Sequence, residues 1–259
     1  SPSGIGVSFP NGSDIFVSRL SANGGNLLAS TFIGGTGNDG LNTAPKLKFN
    51  YADEVRGEID IDRQNNIYIA TCTKSTDFPT TNSFQSLNNG DQEGCIIKMD
   101  NQLTSVIWSS YLGGSADDGI YSLALDKNDN IYVNGGTTSS DFPITATAYQ
   151  TLHQDSLRAD AFISLLNSEG TQLLSSSYYG TEQYDQSYFV EIGSNDAVYL
   201  FGQTKASATD LVQNATYFQS GAGQFIAVFT EDLDSVLRAT VLGTGKVTPD
   251  ISPTAFLVD

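Results

Sequence analysis

The nonapeptide Gly34-Gly-Thr-Gly-Asn-Asp-Gly-Leu-Asn42 matches letter for letter the pattern with which calcium-binding β-rolls hold a cation between successive turns. A β-roll needs tandem copies at about nine-residue spacing, because each cation lies between neighbouring copies. Here the next similar segment, Gly113 to Tyr121, stands a whole repeat further on and carries Ala116 at the fourth place. The segment therefore reads as a glycine turn leaving one strand, then a polar crossing to the next. Its oxygens keep a second reading open. Asn38, Asp39, Asp117 and Asp118 supply groups of the kind a hard cation gathers around one point. Asp39, Asp117 and Asp118 are the calcium candidates, set against solvated acidic turns, and calcium is the only cofactor in question.

Other reactive groups are sparse. Asp126-Lys-Asn-Asp-Asn130 resembles the opening of an EF-hand loop, but the Gly at the sixth place and the Glu at the twelfth are missing, so it reads as a hairpin turn. The sole histidine, His153, lies in the polar stretch Thr151 to Ala159, where a surface position is expected, and no nucleophile-elbow serine accompanies it. Paired carboxylates hydrolyse glycosides, yet among so many acids the sequence pairs no two. No glycine loop with a lysine cradles a phosphate. The expectation is a protein that is not an enzyme. Cys72 and Cys95 are the only cysteines. Cys72 closes one strand-like run and Cys95 opens the next, so a disulfide between them and a pair of buried free thiols both stand. Two Cys and one His make no zinc site. Ser156 in Asp155-Ser-Leu157 and Ser235 in Asp234-Ser-Val236 are candidates for O-glycosylation. Asn11-Gly-Ser and Asn214-Ala-Thr are N-glycosylation sequons.

The elements that must position these residues repeat. A block of about 65 residues recurs, and such self-similarity means one supersecondary unit stacked several times. A bulky pair followed by glycine appears as Phe32-Ile33-Gly34, Tyr111-Leu112-Gly113, Tyr178-Tyr179-Gly180 and Val241-Leu242-Gly243. Asp14 to Phe16 aligns with Gly94 to Ile96, Asp160 to Phe162 and Gln224 to Ile226. Ile59-Asp-Ile-Asp62, Leu123-Ala-Leu-Asp126, Val190-Glu-Ile-Gly193 and Phe256-Leu-Val-Asp259 form a third block, and Asn66-Ile-Tyr68, Asn130-Ile-Tyr132 and Ala197-Val-Tyr199 a fourth. Each repeat holds four short runs rich in Val, Ile, Tyr, Phe and Thr, divided by Gly, Asn, Asp and Ser clusters, which is a strand-and-turn signature. No amphipathic helix is evident. Four antiparallel strands, repeated with short links, fit a β-propeller blade. A β-sandwich also uses short strands but needs no internal repetition.

These blocks resemble the bacterial SBBP repeat, a β-propeller repeat whose pattern runs approximately D-A-F-V-x-K-L-N, then Y-L-G-G with acids after it, then I-A-V-D-x-x-G-N-I-Y-V-x-G and D-F-P-T-T. The second copy matches best, through Tyr111-Leu-Gly-Gly114, Asp117-Asp118, Leu123-Ala-Leu-Asp126, Asn130-Ile-Tyr-Val133 and Asp141-Phe-Pro143. The first copy keeps Gly34-Gly35, Asp39 and Asp77-Phe-Pro79 and carries an insertion near Leu41 to Gly57. The third departs at Thr181, Gly193 and Asp210-Leu-Val. The resemblance runs from Asp14 nearly to the end. It implies an all-β propeller of four-stranded blades, about 3.75 of them here, in a secreted or surface-attached bacterial protein. Residues 1–259 form one domain or fragment, with repeats at approximately 14–58, 59–122, 123–187 and 188–255.

Charge narrows the partners. Against 29 acidic residues stand 12 basic ones, a net charge of −17. This argues against nucleic acid and anionic membranes, which recruit Lys and Arg, and no run approaches a membrane-spanning length. No leader pattern is read, as in a mature secreted product. The expected function is binding or assembly at a bacterial surface, with a protein or a neighbouring chain as partner. A carbohydrate-binding adhesin domain would show exposed Tyr or Trp on a rim groove. A polysaccharide hydrolase would show two carboxylates at about 5–10 Å in a cleft. Trp108 and the many tyrosines could serve such a rim, but the repeated Tyr68, Tyr132 and Tyr199 read more simply as packing between blades.

Two geometric expectations follow. Ile59 to Asp62, Leu123 to Asp126, Val190 to Gly193 and Phe256 to Asp259 should line the axis. Leu27 to Ile33, Val106 to Leu112, Leu173 to Tyr179 and Val236 to Leu242 should lie outermost. The chain then opens at the third strand of a blade and ends on an inner strand, about fifteen strands where a four-bladed ring needs sixteen. It should therefore need a neighbour or further polypeptide to close. A four-bladed ring with a shared terminal blade is the alternative.

Overall fold

The computed structural model describes residues 12–155, 157–246 and 248–259. Among them are fourteen strands: β1 Ile15–Leu20, β2 Leu27–Ile33, β3 Glu58–Ile61, β4 Ile67–Thr73, β5 Glu93–Met99, β6 Val106–Leu112, β7 Asp118–Leu125, β8 Ile131–Thr137, β9 Asp160–Leu166, β10 Leu173–Tyr179, β11 Asp185–Ile192, β12 Val198–Thr204, β13 Gly223–Phe229 and β14 Val236–Leu242. Helix is confined to two 3-10 turns, Pro45–Leu47 and Tyr51–Val55, and the single turn Ala208–Leu211.

The strands form antiparallel sheets in chain order: β1-β2, β3-β4-β5-β6, β7-β8-β9-β10 and β11-β12-β13-β14. Three are complete propeller blades, and β1-β2 is the outer half of a fourth. Strand β7 packs against both β3 and β11 near the axis, and β2, β6, β10 and β14 lie at the far edges. Ile59, Leu123 and Val190 thus sit on inner strands, as the alternation of aliphatic and small or acidic residues requires at a crowded axis. The fourth inner strand does not form. Phe256 to Asp259 has no strand partner; instead Phe256 lies on Phe201 with ring centres 5.2 Å apart. Inner strands β7 and β11 also begin earlier than the sequence pattern indicated, at Asp118 and Asp185.

Alternate residues along a strand join different apolar layers, so the core is a set of layers between sheets. Ile67 and Ile69 of β4 join Val17 and Ile33 of the half-blade. Tyr68 and Ala70, the intervening residues, join Ile120, Val133 and Phe162 of the next blade. Tyr132, Ile163 and Tyr179 then pack on Leu200, Phe225 and Phe229. Strands buried on both faces read as near-continuous apolar runs. Tyr68 and Tyr132 are packing residues between blades, while Tyr199, on the last blade, is half-buried. The hairpins at Asp62 and Asp126 close as the turn chemistry demands. Asp62 Oδ1 accepts from the Gln64 and Asn66 amides, and Asp126 Oδ1 from those of Asn128 and Asn130. Asn65 and Asp129 take the left-handed conformation these residues tolerate.

Candidate functional site

Asp39, Asp118 and Asp185 occupy one place in three successive blades. Asp118 and Asp185 begin inner strands, Asp39 forms an isolated bridge ahead of the insertion, and each lies opposite a threonine that ends the second strand. The pairs are Asp39 with Thr73, Asp118 with Thr137 and Asp185 with Thr204. Asp118 accepts from the Thr137 hydroxyl, the Ser139 hydroxyl (2.9 Å) and the Gly114 amide (2.7 Å). Asp39 repeats the set with Thr73, Ser75 (2.8 Å) and Gly35 (2.8 Å). Asp185 accepts from the Thr181 amide and hydroxyl. These bonds tie the loop leaving one blade to the start of the next. Asp39 and Asp118, proposed from sequence for calcium, belong to different junctions. Asp117 is half-buried and bonds Thr138 through its own backbone. Among the described residues no three His, Cys, Asp or Glu side chains converge as a metal group.

A second acid stands beside each of these. The register Ile33–Ile15, Leu112–Gly94, Tyr179–Ala161 and Leu242–Gln224 makes Asp14, Glu93, Asp160 and Gly223 equivalent. This corrects the sequence alignment, which set Gly94 and Gln224 against Asp14. Glu93 was missed because a one-residue slip in register hides it, and because it differs in length from its aspartate counterparts. At Gly113 a Cβ would lie 2.4 Å from Glu93 Oε2 and 2.6 Å from Asp118 Oδ2, so glycine is what lets the two acids approach. Gly34 stands likewise between Asp14 and Asp39. Burial, reinforced by the neighbouring acid, pushes Asp118 up to about 8 and Asp160 to about 8. Burial pushes Glu93 up to about 7, although it accepts from the Asn89 and Gly90 amides and from Gln85.

His153 is not at the surface as expected. Its side chain is 1% exposed and 4.0 Å from Asp160, its ring stands edge-on to Tyr178, and burial lowers its pKa. Burial thus favours the uncharged form of both groups. Cys72 and Cys95 are free, buried thiols. Cys95 lies opposite Thr71 and Cys72 opposite Gly94. The two side chains therefore point to opposite faces of one sheet, which removes the disulfide alternative. Trp108 is buried, with its indole N–H donating to the Ser168 carbonyl at 3.0 Å, and so offers no stacking face to a sugar. Ser235 and Asn214 are exposed. Ser156 and Asn11 lie outside the described residues.

The insertion between Asp39 and β3 is the largest departure from the repeat. It leaves the inner strand where β7 and β11 carry β-bulges at Tyr121 and Tyr188, and it docks on those two tyrosines. Asn42 donates to Tyr121 Oη (3.0 Å), and Tyr121 donates to the Leu47 carbonyl (2.9 Å). Tyr188 donates to Asp53 (3.1 Å), and Asn50 donates to Tyr188 and to Gln203 (2.7 Å). Arg56 pairs with Asp53 at 2.9 Å and lies over the Tyr188 ring at 4.2 Å. An insertion that breaks an inner strand with Asn, Asp and Arg was the available signal that polar partners wait near the axis.

Beside the insertion lies a groove of about 500 Å³. Ile15 and Val17 of β1 line one wall, and Val55, Ile59 and Ile69 the other, with Asp14 and Asp39 at one end. In every complete blade the third strand pairs on both edges. Strand β1, a third strand, pairs only with β2 among the described residues. A second recess of about 370 Å³ on the axis gathers Glu58, Asp60 and Glu191 beside Ser122 and Phe256. Burial and mutual repulsion raise Glu58 and Glu191.

The family described as the SBBP β-propeller repeat matches residues 107–143, from β6 through β7 and β8 to the Asp141-Phe-Pro143 segment. The chain carries an SBBP β-propeller repeat over that stretch. No curated protein matches it.

Proposed function

We propose that this chain is a non-enzymatic β-propeller module that acts by binding or assembly outside a bacterial cell or at its surface. The observation that carries the reading is the unfilled half-blade. Among the described residues strand β1 pairs on one edge only, and its other edge lies over an apolar groove; an edge of that kind is a template for another strand. The half-blade also leaves Phe16 66% and Leu20 57% exposed, an apolar surface of the sort that marks an interaction site. The net charge of −17 and the resemblance to repeats of secreted bacterial proteins support the extracellular address. The buried acids support a non-catalytic reading, because Glu93 and Asp118 are engaged by amides and hydroxyls and lie out of contact with solvent.

A photo-crosslinking amino acid at Phe16 tests this. In cells making the full natural polypeptide, the expected result is a discrete adduct in the envelope or secreted fraction. Protein confined to the cytosol, or no adduct in any fraction, would count against the reading.

A further inference from the structure

We propose that His153 and Asp160 share one proton and thereby form a pH-operated clasp at the neck of the loop joining β8 to β9. The loop leaves at Thr137 and returns at Asp160, and these two stand opposite one another in the ladder. His153 reaches both. Its Nε2 lies 3.2 Å from the Thr137 carbonyl. A carbonyl only accepts, so Nε2 carries the hydrogen and Nδ1 keeps a lone pair. That lone pair faces the Asp160 carboxyl at 4.0 Å. Among the described residues neither Nδ1 nor Asp160 Oδ1 has a hydrogen-bond partner, and both side chains are shut from solvent. Two buried acceptors turned toward each other are unfavourable. One proton on the acid makes the pair a donor and an acceptor, and a small rotation of the carboxyl closes an O–H···N bond.

The preceding blade builds the same loop without a histidine. Gln85 there and Gln150 here hold one place: each carbonyl accepts from the outer-strand tyrosine, Tyr111 or Tyr178, and each side chain donates to the carbonyl of an exposed leucine, Leu87 or Leu152. Gln85 also reaches Glu93, which takes the Asn89 and Gly90 amides as well. Asp160 is one methylene shorter. It accepts from the Gln154 amide at 2.9 Å, and the imidazole stands where Glu93 has its further donors. The surroundings place the proton on the acid. Burial favours both uncharged forms, and Asp185 of β11 and Asp155 of the loop add repulsion against a charged Asp160. On the imidazole Asp155 and Lys46 act in opposite senses, and Asp155 is itself paired with Arg158. The Tyr178 ring of β10 stands edge-on to the imidazole, its hydroxyl spent on the Ser139 carbonyl. Acid adds a second proton and charges a buried ring. Alkali removes the shared proton, sets a carboxylate against a lone pair and expels the ring from its slot.

His153 is the sole histidine, so its ring signals assign themselves. In nitrogen-15 NMR spectra the ring should be the neutral Nε2–H tautomer at pH 7. It should pass unchanged through 6.5, where an ordinary imidazole is half charged, and shift as the pH passes about 8. Acylation of the ring by diethyl pyrocarbonate, measured against N-acetylhistidine, should be at least tenfold slower at pH 7 and recover most of that factor at pH 9. In Asp160→Asn the amide donates to Nδ1 with no proton to lose, so labelling should stay slow at pH 9. A ring charged at pH 7, an Nδ1–H tautomer, a midpoint near 6.5, or labelling equally slow at pH 7 and 9 overturns the inference. These four are read on the unaltered chain, so they decide even where the variant fails to fold. Labelling that quickens equally at pH 9 in Asp160→Asn overturns it as well.

Discussion

Tyr121 and Tyr188 hold the same place in successive blades, and their rings stack with centres 5.8 Å apart and planes 13° from parallel. Each is the extra residue of a β-bulge in an inner strand. A bulge re-aims a side chain out of the ladder, and here it turns both phenols toward the axis. The first complete blade carries its insertion at that point, and the insertion caps both phenols. One irregularity of the repeat thus serves as socket twice and as plug once.

Removing the Tyr121 hydroxyl would take one donor from the Leu47 carbonyl and one acceptor from the Asn42 amide, while Asn42 and Gln186 still donate to Leu47 and Asn42 still donates to the Asp53 carbonyl. Tyr121→Phe is expected to lower stability by about 0.5–1.5 kcal/mol, the net worth of a typical buried hydrogen bond, read from urea unfolding. Tyr149→Phe, at a half-exposed ring whose hydroxyl lies 3.4 Å from Gln213, should stay within about 0.5 kcal/mol. Equal effects would argue that the plug adds nothing.

Gly170 is constrained twice. Its φ is +68°, and a Cβ there would lie 2.2 Å from the Trp108 ring. The corresponding turns carry Leu103 and Leu233 at φ 57° and 60°, so left-handed backbone alone is tolerated. Gly170→Ala should therefore cost more than backbone strain, about 2–4 kcal/mol in all, with a blue- or red-shifted Trp108 emission. A loss below about 1 kcal/mol would show that the indole yields.

Stability should fall as the pH rises from neutral to 9. Burial holds Glu93 at about 7 and Asp118 and Asp160 at about 8, above their ordinary 4.5 and 3.8. The folded chain then binds more protons than the unfolded one, so stability from these groups is full below roughly pH 4 and lost as the pH rises through 8. His153 acts oppositely, because its lowered pKa makes charging it unfavourable as the pH falls below 6.5. Urea midpoints at pH 6.5, 7.5, 8.5 and 9 give the slope, and Asp160→Asn should flatten it. A midpoint that climbs across this range would refute the assignment.

Neither thiol should react in the native state. Burial pushes Cys72 up to about 12 and Cys95 well above its ordinary value. A chromogenic disulfide reagent is expected to report no free thiol until denaturant is added and two afterwards, and reductant should leave the melting temperature unchanged. Prompt native labelling of either residue would contradict the burial.

The blades were legible because their strands are short, apolar on both faces and punctuated by Asn, Asp and Gly. Strands β2, β6, β10 and β14 match the sequence reading residue for residue, at Leu27–Ile33, Val106–Leu112, Leu173–Tyr179 and Val236–Leu242. Phe256 to Asp259 carried the inner-strand pattern without the outcome, because a strand needs a neighbour and none of the described residues pairs with it. The junction acids were half legible. Asp39 and Asp118 stood out as acids after a glycine turn, but only strand register reveals that Glu93 joins Asp118. The plug was visible as an insertion, yet its partners Tyr188 and Gln203 lie too far along the chain for spacing to suggest them.

That distance sets an order of events. The plug's bonds to Tyr121, Asp53's to Tyr188, and Asn50's to Tyr188 and Gln203 span 79, 135, 138 and 153 residues. Each blade closes its hairpins locally, whereas these contacts close long loops, whose entropy must be met before the bonds reward it. During synthesis residues 41–57 leave the ribosome before any of the residues they dock on. They wait, undocked, while two further blades are made, and the axis is sealed by a segment that is translated ahead of the three complete blades and settles after them.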